Sequence, residues 1–234
     1  PEDIDNYIKS AQGHVKRYTE KQDENGLQKS KDNLEYFTKQ YQNATSGVWI
    51  DFNIPFLKIR KQFESGQFIV AYYKADRIFS SVEPKHVEKV QLKSDYTIND
   101  TPRSEFIKYL LDLKMTQALA VTGGKTEKAT AISAWFEKFN ELLQQIFDDK
   151  SVKLVFDEET FKFSISMDGR EPFDFNTLSS GYAAILDIVV DLIIRMEKQL
   201  NRSFGFNIPG VVLIDEIETH LHLELQKNIM KLLT

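Results

Sequence analysis

Two adjacent carboxylates, Asp215 and Glu216, directly follow the aliphatic run Val211 to Ile214. Such a run is typical of a buried central strand, and parallel α/β sheets place their ligands at the carboxyl ends of these strands. One carboxylate there can hold Mg²⁺, which prefers hard oxygen ligands, and a second can orient or deprotonate a water molecule. An aliphatic strand that ends in a solvated acidic turn explains the pair equally well.

A second candidate for chemistry is the series Ser179, Ser180 and Gly181, at the predicted start of a helix. The first amides of a helix are unpaired and lie at the positive end of its dipole, so they can receive a phosphate. Serine hydroxyls add donors, and glycine lets the backbone come close to a ligand. Serine is also a common helix N-cap, and taken alone this simpler interpretation is favoured.

The turn Gly124-Lys125-Thr126 contains the last three residues of a phosphate-binding P-loop motif. The full motif needs another glycine five positions before Gly124, where this chain has Leu119, and it lies between a strand and a helix. Because a helical pattern precedes this turn, we interpret it as an exposed connection between two helices. The true P-loop is expected before Pro1, outside the printed sequence, in a longer protein.

Other site chemistry finds little support in the composition. The absence of cysteine excludes disulfides, thiolate zinc sites and cysteine nucleophiles. His220 and His222 are two residues apart, so they point to different sides of a helix and do not form a His-Glu-x-x-His zinc pattern. His14 and His86 stand alone in polar sequence, which predicts that both lie at the surface.

Charge and hydrophobicity limit the class of partner. A net charge of −5 provides no overall attraction to nucleic acid. Lys58, Arg60 and Lys61 could form a local DNA-binding patch, but a solvated charged segment is the preferred explanation. The most apolar stretch, Ile185 to Ile194, contains two aspartates and is too short to span a bilayer. No signal peptide is visible, so a cytoplasmic protein without a membrane partner is expected.

Hydrophobic periodicity predicts the elements that position these groups. An apolar stripe at spacings of three and four predicts a core-facing helix over Thr130 to Phe147. Alternating apolar residues predict antiparallel strands over Val152 to Met167, with a turn at Asp157 to Thr160. The run Phe68 to Tyr73 predicts a strand buried on both faces. The residues of the helical stripe are Ile132, Trp135, Phe136, Phe139, Leu142, Leu143 and Ile146, and those of the second strand are Phe161, Phe163, Ile165 and Met167.

The remaining segments predict further helices. The residues after Ser180 are apolar on nearly all sides, which predicts a deeply packed helix. Asp187, Asp191 and Arg195 lie four apart on it, and the last two could pair. A helix is also expected over residues 104–120, and a short strand over residues 48–53. Residues 2–44 predict two helices broken near residues 23–26, either a solvated hairpin or, less favoured, a coiled-coil arm.

The order of these motifs resembles the second half of an ABC-type nucleotide-binding domain. In that family the signature reads Leu-Ser-Gly-Gly-Gln or a variant; Leu178, Ser179 and Gly181 match it, while Ser180 and Tyr182 depart from the transporter form. The run 215–222 is similar to the Asp-Glu-Pro-Glu-x-His-Leu-His form of prokaryotic AAA-type ABC ATPases, with isoleucine in place of the proline. Residues 72–77, 135–137 and 173–181 also look like this branch, and the resemblance spans roughly residues 48–234.

This resemblance implies an α/β fold: a P-loop NTPase-like ABC ATPase head with a mostly parallel sheet, an antiparallel β meander and a helical insertion. We expect residues 1–46 to form a helical hairpin or insertion and residues 47–100 to form part of the core sheet. Residues 101–150 then form a helical subdomain. Residues 151–234 form the meander, the signature helix and the strand that ends in Asp215 and Glu216, which P-loop enzymes call Walker B.

The resemblance also implies the roles of individual residues. Two heads close as a homodimer around ATP; Asp215 positions Mg²⁺ and Glu216 is the general base. The signature residues contact the nucleotide of the opposite head, and His222 falls where the family has its D-loop. The residues implied in binding nucleotide are Ser179, Ser180, Gly181 and His222.

The biological role implied is a conformational switch driven by ATP, in anti-phage defence or DNA maintenance. The alternative is a scaffold that binds nucleotide without hydrolysing it and recruits an effector such as a nuclease. The intact pair Asp215-Glu216 favours the enzyme.

Overall fold

A computed structural model describes residues 2–45, 53–77, 79, 84, 86–200, 207–219, 221, 225, 226 and 229. The chain divides into two compact units, Pro1–Pro55 and Phe56–Thr234. Apart from Asn53, the strand expected over residues 48–53 lies outside the described residues. No described helix is long and apolar enough to cross a membrane.

The described part of the first unit contains two helices, α1 (Glu2–Glu20) and α2 (Glu24–Thr45), as the sequence predicts. They pack against each other, and the rings of Tyr7 and Phe37 stack at 5.1 Å between centroids. The carboxylate of Asp23 accepts a hydrogen bond from the amide of Gly26 at 3.0 Å, so Asp23 caps the start of α2. His14, on α1, is exposed, as predicted.

The second unit contains the elements of the candidate site. In chain order they are α3 (Phe56–Glu64), β1 (Ile69–Tyr73), α4 (Phe106–Thr122), α5 (Thr126–Phe147), β2 (Lys153–Asp157), β3 (Lys162–Ser166), α6 (Ser180–Leu200) and β4 (Gly210–Ile214). Helix α3 carries the basic cluster predicted to be solvated; its members are exposed, and Arg60 pairs with Glu64 at 2.9 Å. His86 is also exposed, as predicted.

The core of this unit is built around α5. All seven residues of its predicted apolar stripe are buried, so the expected amphipathic helix is confirmed. Trp135 stacks on Phe139 at 5.6 Å, and its indole N–H donates to Glu197 of α6 at 3.1 Å. The core-facing side of α5 therefore packs against α4 and α6, and the buried indole N–H of Trp135 has a hydrogen-bond partner.

Strands β2 and β3 form the predicted antiparallel hairpin, and Phe173 extends it by a single bridge to Ile165. Phe163 and Ile165 are buried, as their alternation predicts. The expectation that Phe161 belongs to the inward-facing row is wrong. Phe161 has a φ of 56° and is 42% exposed, because it lies in the connecting turn, where the chain reverses before β3 begins.

Strands β1 and β4 pair in parallel, with Ile69 opposite Gly210 and Tyr73 opposite Ile214. The predicted parallel arrangement is therefore confirmed for this pair of strands. The alternate residues of β1 are buried, and they pack with three residues of α6: Ile188, Leu192 and Met196. Helix α6 thus covers one face of the pair.

The opposite face of this strand pair differs from the prediction. Strands buried on both faces were expected, but Tyr72 is 41% exposed and its register partner Leu213 is 58% exposed. On the α6 side, Val212 is in register with the buried Ala71 and is itself 37% exposed. The physical reason is that α6 covers one face only, and within the described residues no further strand pairs with the free edge of β4.

Two leucines of α4 provide a matched test of this core. Leu110 is fully buried, whereas Leu119 is 73% exposed. We expect Leu110→Ala to lower the free energy of unfolding by about 2–5 kcal/mol, because it leaves a cavity. Leu119→Ala should change it by less than about 0.5 kcal/mol. Urea unfolding followed by circular dichroism measures both, and equal losses in the two variants would contradict the packing described for α4.

Candidate functional site

The predicted acidic pair lies at the carboxyl end of the parallel strands. The amide of Asp215 donates to the carbonyl of Tyr73 at 2.8 Å, which continues the β1–β4 pairing one residue beyond β4. The side chains of Asp215 and Glu216 are both exposed. The structure therefore places two adjacent carboxylates, accessible to a ligand, at the sheet edge where parallel sheets bind ligands.

Glu216 has an unusual backbone conformation, with a φ of 46°. Residues other than glycine pay roughly 1–2 kcal/mol for this left-handed region. Thr219 contacts the glutamate twice: its amide donates to the Glu216 carbonyl at 3.0 Å, and its hydroxyl donates to Glu216 Oε2 at 3.0 Å. These bonds hold both the backbone and the carboxylate of Glu216 in one orientation.

Arg77 binds the backbone of the acidic turn, which is formed by Asp215 and Glu216. Its Nη1 donates to the carbonyls of Asp215 at 2.6 Å and Lys74 at 2.8 Å, and its Nη2 donates to the carbonyl of Glu216 at 2.8 Å. Arg77 is only 5% exposed. The resemblance found in the sequence includes residues 72–77, but it assigns no role to Arg77. The position of a cation four residues beyond the end of β1 is a second signal that points to it.

The serine tip, formed by Ser179, Ser180 and Gly181, lies at the start of α6, as predicted. Ser180 is the first residue of the helix, and the amide of Ala183 bonds to the carbonyl of Ser179 at 2.9 Å. Both serines are exposed, whereas Gly181 is buried. The first amides of a helix have no carbonyl partner within it, so the serine end of α6 offers donors to a ligand.

Aromatic packing holds the segment that leads into this tip. Phe175 is fully buried and contacts the rings of Phe79 and Phe106 at 5.8 and 6.4 Å. The carboxylate of Asp174 accepts from the two amides that follow Phe175, which shapes a 3₁₀ turn just before the serines. The position of the tip therefore follows from the main hydrophobic core.

Helix α6 runs antiparallel to β1. Arg195 donates to the carbonyl of Val70, while Asp191, one turn earlier in the helix, accepts from the hydroxyl of Tyr73 at the end of the strand. Ser180 lies eleven residues before Asp191, which is about 16 Å further along the helix axis at 1.5 Å per residue. The serine tip therefore extends beyond the carboxyl ends of the strands, on the side of the acidic turn.

A buried polar cluster fixes this arrangement. The predicted pair of Asp191 and Arg195 is confirmed at 2.7 Å, and the Tyr73 hydroxyl donates to the same carboxylate at 2.8 Å. Arg195 also donates to the carbonyls of four residues in two other segments: Val70, Tyr96, Thr97 and Asp100. Burial and the adjacent Asp191 raise the pKa of Tyr73, so its hydroxyl remains a proton donor.

A cavity of about 450 Å³ adjoins this cluster at the end of β1, lined by residues of segments 72–77 and 98–103 and by Asp187. Asp187 is 1% exposed and forms an ion pair with Arg103. Burial raises the pKa of Asp187 to about 6; the charge of Asp191 adds to this rise, while Arg103 and Arg77 oppose it.

The structure also shows where the predicted Gly-Lys-Thr turn lies. Gly124 and Lys125 lie in the connection between α4 and α5, and Thr126 begins α5, so the interpretation of this Gly-Lys-Thr as a helix–helix turn is confirmed. His220 and His222 lie outside the described residues. Within the described part of the chain, no group of three or more histidine, aspartate or glutamate side chains could enclose a metal ion.

Comparison with known proteins identifies one family. The family model described as "AAA domain, putative AbiEii toxin, Type IV TA system" matches residues 60–234, about three quarters of the chain. The match includes the strand pair, the serine tip and the acidic turn, and it leaves out α1 and α2. No curated protein matches this sequence.

The raised pKa of Asp187 predicts a pH dependence of stability. Asp187 binds its proton more tightly in the folded chain than in the unfolded chain, so its contribution to the free energy of unfolding falls as pH rises from about 4 to about 6. Asp187→Asn removes this titration. Between these pH values, we expect the wild type to lose up to about 3 kcal/mol relative to the variant.

Urea unfolding of both proteins at pH 4, 5, 6 and 7 measures this difference. Asp168→Asn, at an exposed position in the turn after β3, controls for the loss of a negative charge. A gap between the wild type and Asp187→Asn that stays constant across this range would contradict the predicted protonation of Asp187.

Proposed function

The chain belongs to this family of AAA domains, and from that premise we propose that it is the part of an ABC-type ATPase head that hydrolyses ATP and closes on a second head. The observation that carries the proposal is the acidic turn. Asp215 and Glu216 are exposed, adjacent and held at the carboxyl end of a parallel strand pair. Nucleotides bind at this edge in α/β sheets.

The two carboxylates have different roles in this proposal. Asp215 holds Mg²⁺ largely through water, which fits a single exposed carboxylate, because Mg²⁺ keeps most of its hydration shell and binds few protein groups. When bound there, Mg²⁺ would supply positive charge that offsets the charge of the phosphate oxygens. Glu216 orients the attacking water and accepts its proton, and its hydrogen bond from Thr219 keeps the carboxylate in place for that task.

The serine tip acts on a second nucleotide in this proposal. It extends about 16 Å along α6 past the level of Tyr73, and this distance from the strand ends supports a tip that contacts a nucleotide other than the one at its own acidic turn. Ser179, Ser180 and the amide of Gly181 then bind the γ-phosphate of ATP held by the other head. His222 is proposed to lie at the same interface. ATP joins the two heads, and its hydrolysis releases them.

A phosphate-binding loop is also required, and the one Gly-Lys-Thr of this sequence lies in a helix–helix turn. The proposal therefore places the P-loop in a segment outside the printed sequence. The exposed apolar surface of Tyr72 and Leu213 supports this, because further elements of a head would cover that face of the sheet. Defence against phage and recruitment of a nuclease are proposed contexts for the switch.

Replacement of Glu216 tests hydrolysis. In the full-length protein, Glu216→Gln should lower the ATP turnover number by roughly 10²–10⁴-fold, because the amide cannot accept a proton. It should preserve ATP binding and favour the ATP-bound dimer. Steady-state phosphate release and calorimetric titration with ATP measure the two effects.

Glu158→Gln, in the exposed turn between β2 and β3, is the matched control for this experiment and should keep wild-type turnover. Unchanged turnover in Glu216→Gln would remove Glu216 from the role of base. If the wild type binds ATP and dimerises without turnover, the scaffold that recruits an effector replaces the enzyme as the function.

Replacement of Ser180 tests closure of the heads. Ser180→Arg should block ATP-dependent dimerisation, because the larger side chain fills the phosphate site at the start of α6. Light scattering of the full-length protein with and without ATP measures the dimer. Ser10→Arg, exposed on α1, is the control and should dimerise normally. A normal ATP-dependent dimer of Ser180→Arg would contradict the role of the tip.

A further inference from the structure

We propose that Arg77 is a positioning residue for the acidic turn: its guanidinium fixes the peptide groups of Asp215 and Glu216 and so directs their carboxylates. The inference rests on the proposed function, in which these carboxylates serve ATP hydrolysis. It adds a residue that lies 138 positions from Asp215 in the chain and that belongs to neither motif of the site.

The hydrogen bonds of Arg77 match the geometry of a guanidinium. Two nitrogens of one planar group reach the carbonyls of Asp215, Glu216 and Lys74 at 2.6 to 2.8 Å, so one side chain connects the segment after β1 with the turn after β4. A lysine ammonium is a single point with freely rotating donors and cannot reproduce this fork. The contact therefore depends on arginine and not merely on a positive charge.

The burial of Arg77 indicates a specific role. It is 5% exposed, and its hydrogen bonds go to backbone carbonyls. A buried cation is unfavourable unless hydrogen bonds and nearby charges offset its loss of water. Here backbone carbonyls accept from Nη1 and Nη2, and the negative charge of Asp187 in the same cavity interacts with the guanidinium, while Nε has no hydrogen-bond partner among the described residues. An apolar side chain at this position would avoid the desolvation cost of a buried charge. We explain the presence of arginine by the order that its hydrogen bonds impose on the acidic turn.

The backbone of Glu216 is where this order matters. Its left-handed conformation is disfavoured, so the turn needs external contacts to persist. The Glu216 carbonyl accepts from Arg77 on one side and from the amide of Thr219 on the other, at 2.8 and 3.0 Å. Loss of the arginine releases one of the two restraints, and the peptide can then rotate toward an ordinary conformation.

The test compares Arg77→Lys and Arg77→Gln with the wild type in the full-length protein. Because small misplacement of a reacting group can cost on the order of 10²-fold in rate, we expect Arg77→Lys to lower kcat by roughly 10- to 100-fold. KM for ATP should stay within about threefold, since the phosphate-binding groups are untouched. Arg60→Lys, exposed on α3, is the matched control and should behave as the wild type.

A second measurement does not depend on hydrolysis. The Thr219 amide bonds to the same carbonyl as Arg77, so its hydrogen exchange reports the restraint on Glu216 directly. We expect faster exchange at Thr219 in both Arg77 variants and unchanged exchange along α5. Faster exchange along α5 as well would reveal general loss of stability and would overturn the positioning role.

The outcomes separate this inference from the proposed function. If the wild type hydrolyses ATP, then wild-type kcat in Arg77→Lys, a change in KM alone, or a loss of kcat without faster exchange at Thr219 each overturns the inference. If the wild type does not hydrolyse ATP, the proposed function fails, and the exchange at Thr219 alone decides whether Arg77 orders the turn.

Discussion

The buried ion pair between Asp191 and Arg195 is the interaction on which the rest of this structure depends. Removing two charges from water is unfavourable unless their remaining donors and acceptors are satisfied. Here Tyr73 donates to the carboxylate, and Arg195 donates to four backbone carbonyls. This cluster therefore joins α6, β1 and the segment that precedes α4, and it sets how far α6 extends beyond the sheet.

The consequence is that one helix relates the two candidate groups of the site. The serine tip begins α6, and the acidic turn follows β4, which pairs with β1. Because the buried cluster joins α6 to β1, it fixes the positions of both groups. The two arginines of this region differ in their task. Arg195 connects helix to sheet, whereas Arg77 connects the ends of the two strands through their carbonyls.

Much of the local structure could be predicted because apolar residues recur with the period of the helix or strand that contains them. The stripe of α5, the alternation of β3, the pairing of Asp191 with Arg195 and the helix–helix turn at Gly124 all depend on residues close in sequence. Phe161 is the exception that marks the limit. Its alternation with Phe163 suits a strand, but the reversal of the chain places it in a turn.

Apart from α3, for which no helix was predicted, the sequence by itself determined the kinds of element, their order and the chemistry of the candidate groups, because periodicity and side-chain type are local properties. Only the tertiary structure decided which face of β1 and β4 is covered, that Asp187 is buried beside Arg103, and that Arg77 holds the acidic turn. These features join residues far apart in the chain. They arise from packing and from the need to satisfy buried polar groups, and no spacing within a single segment encodes them.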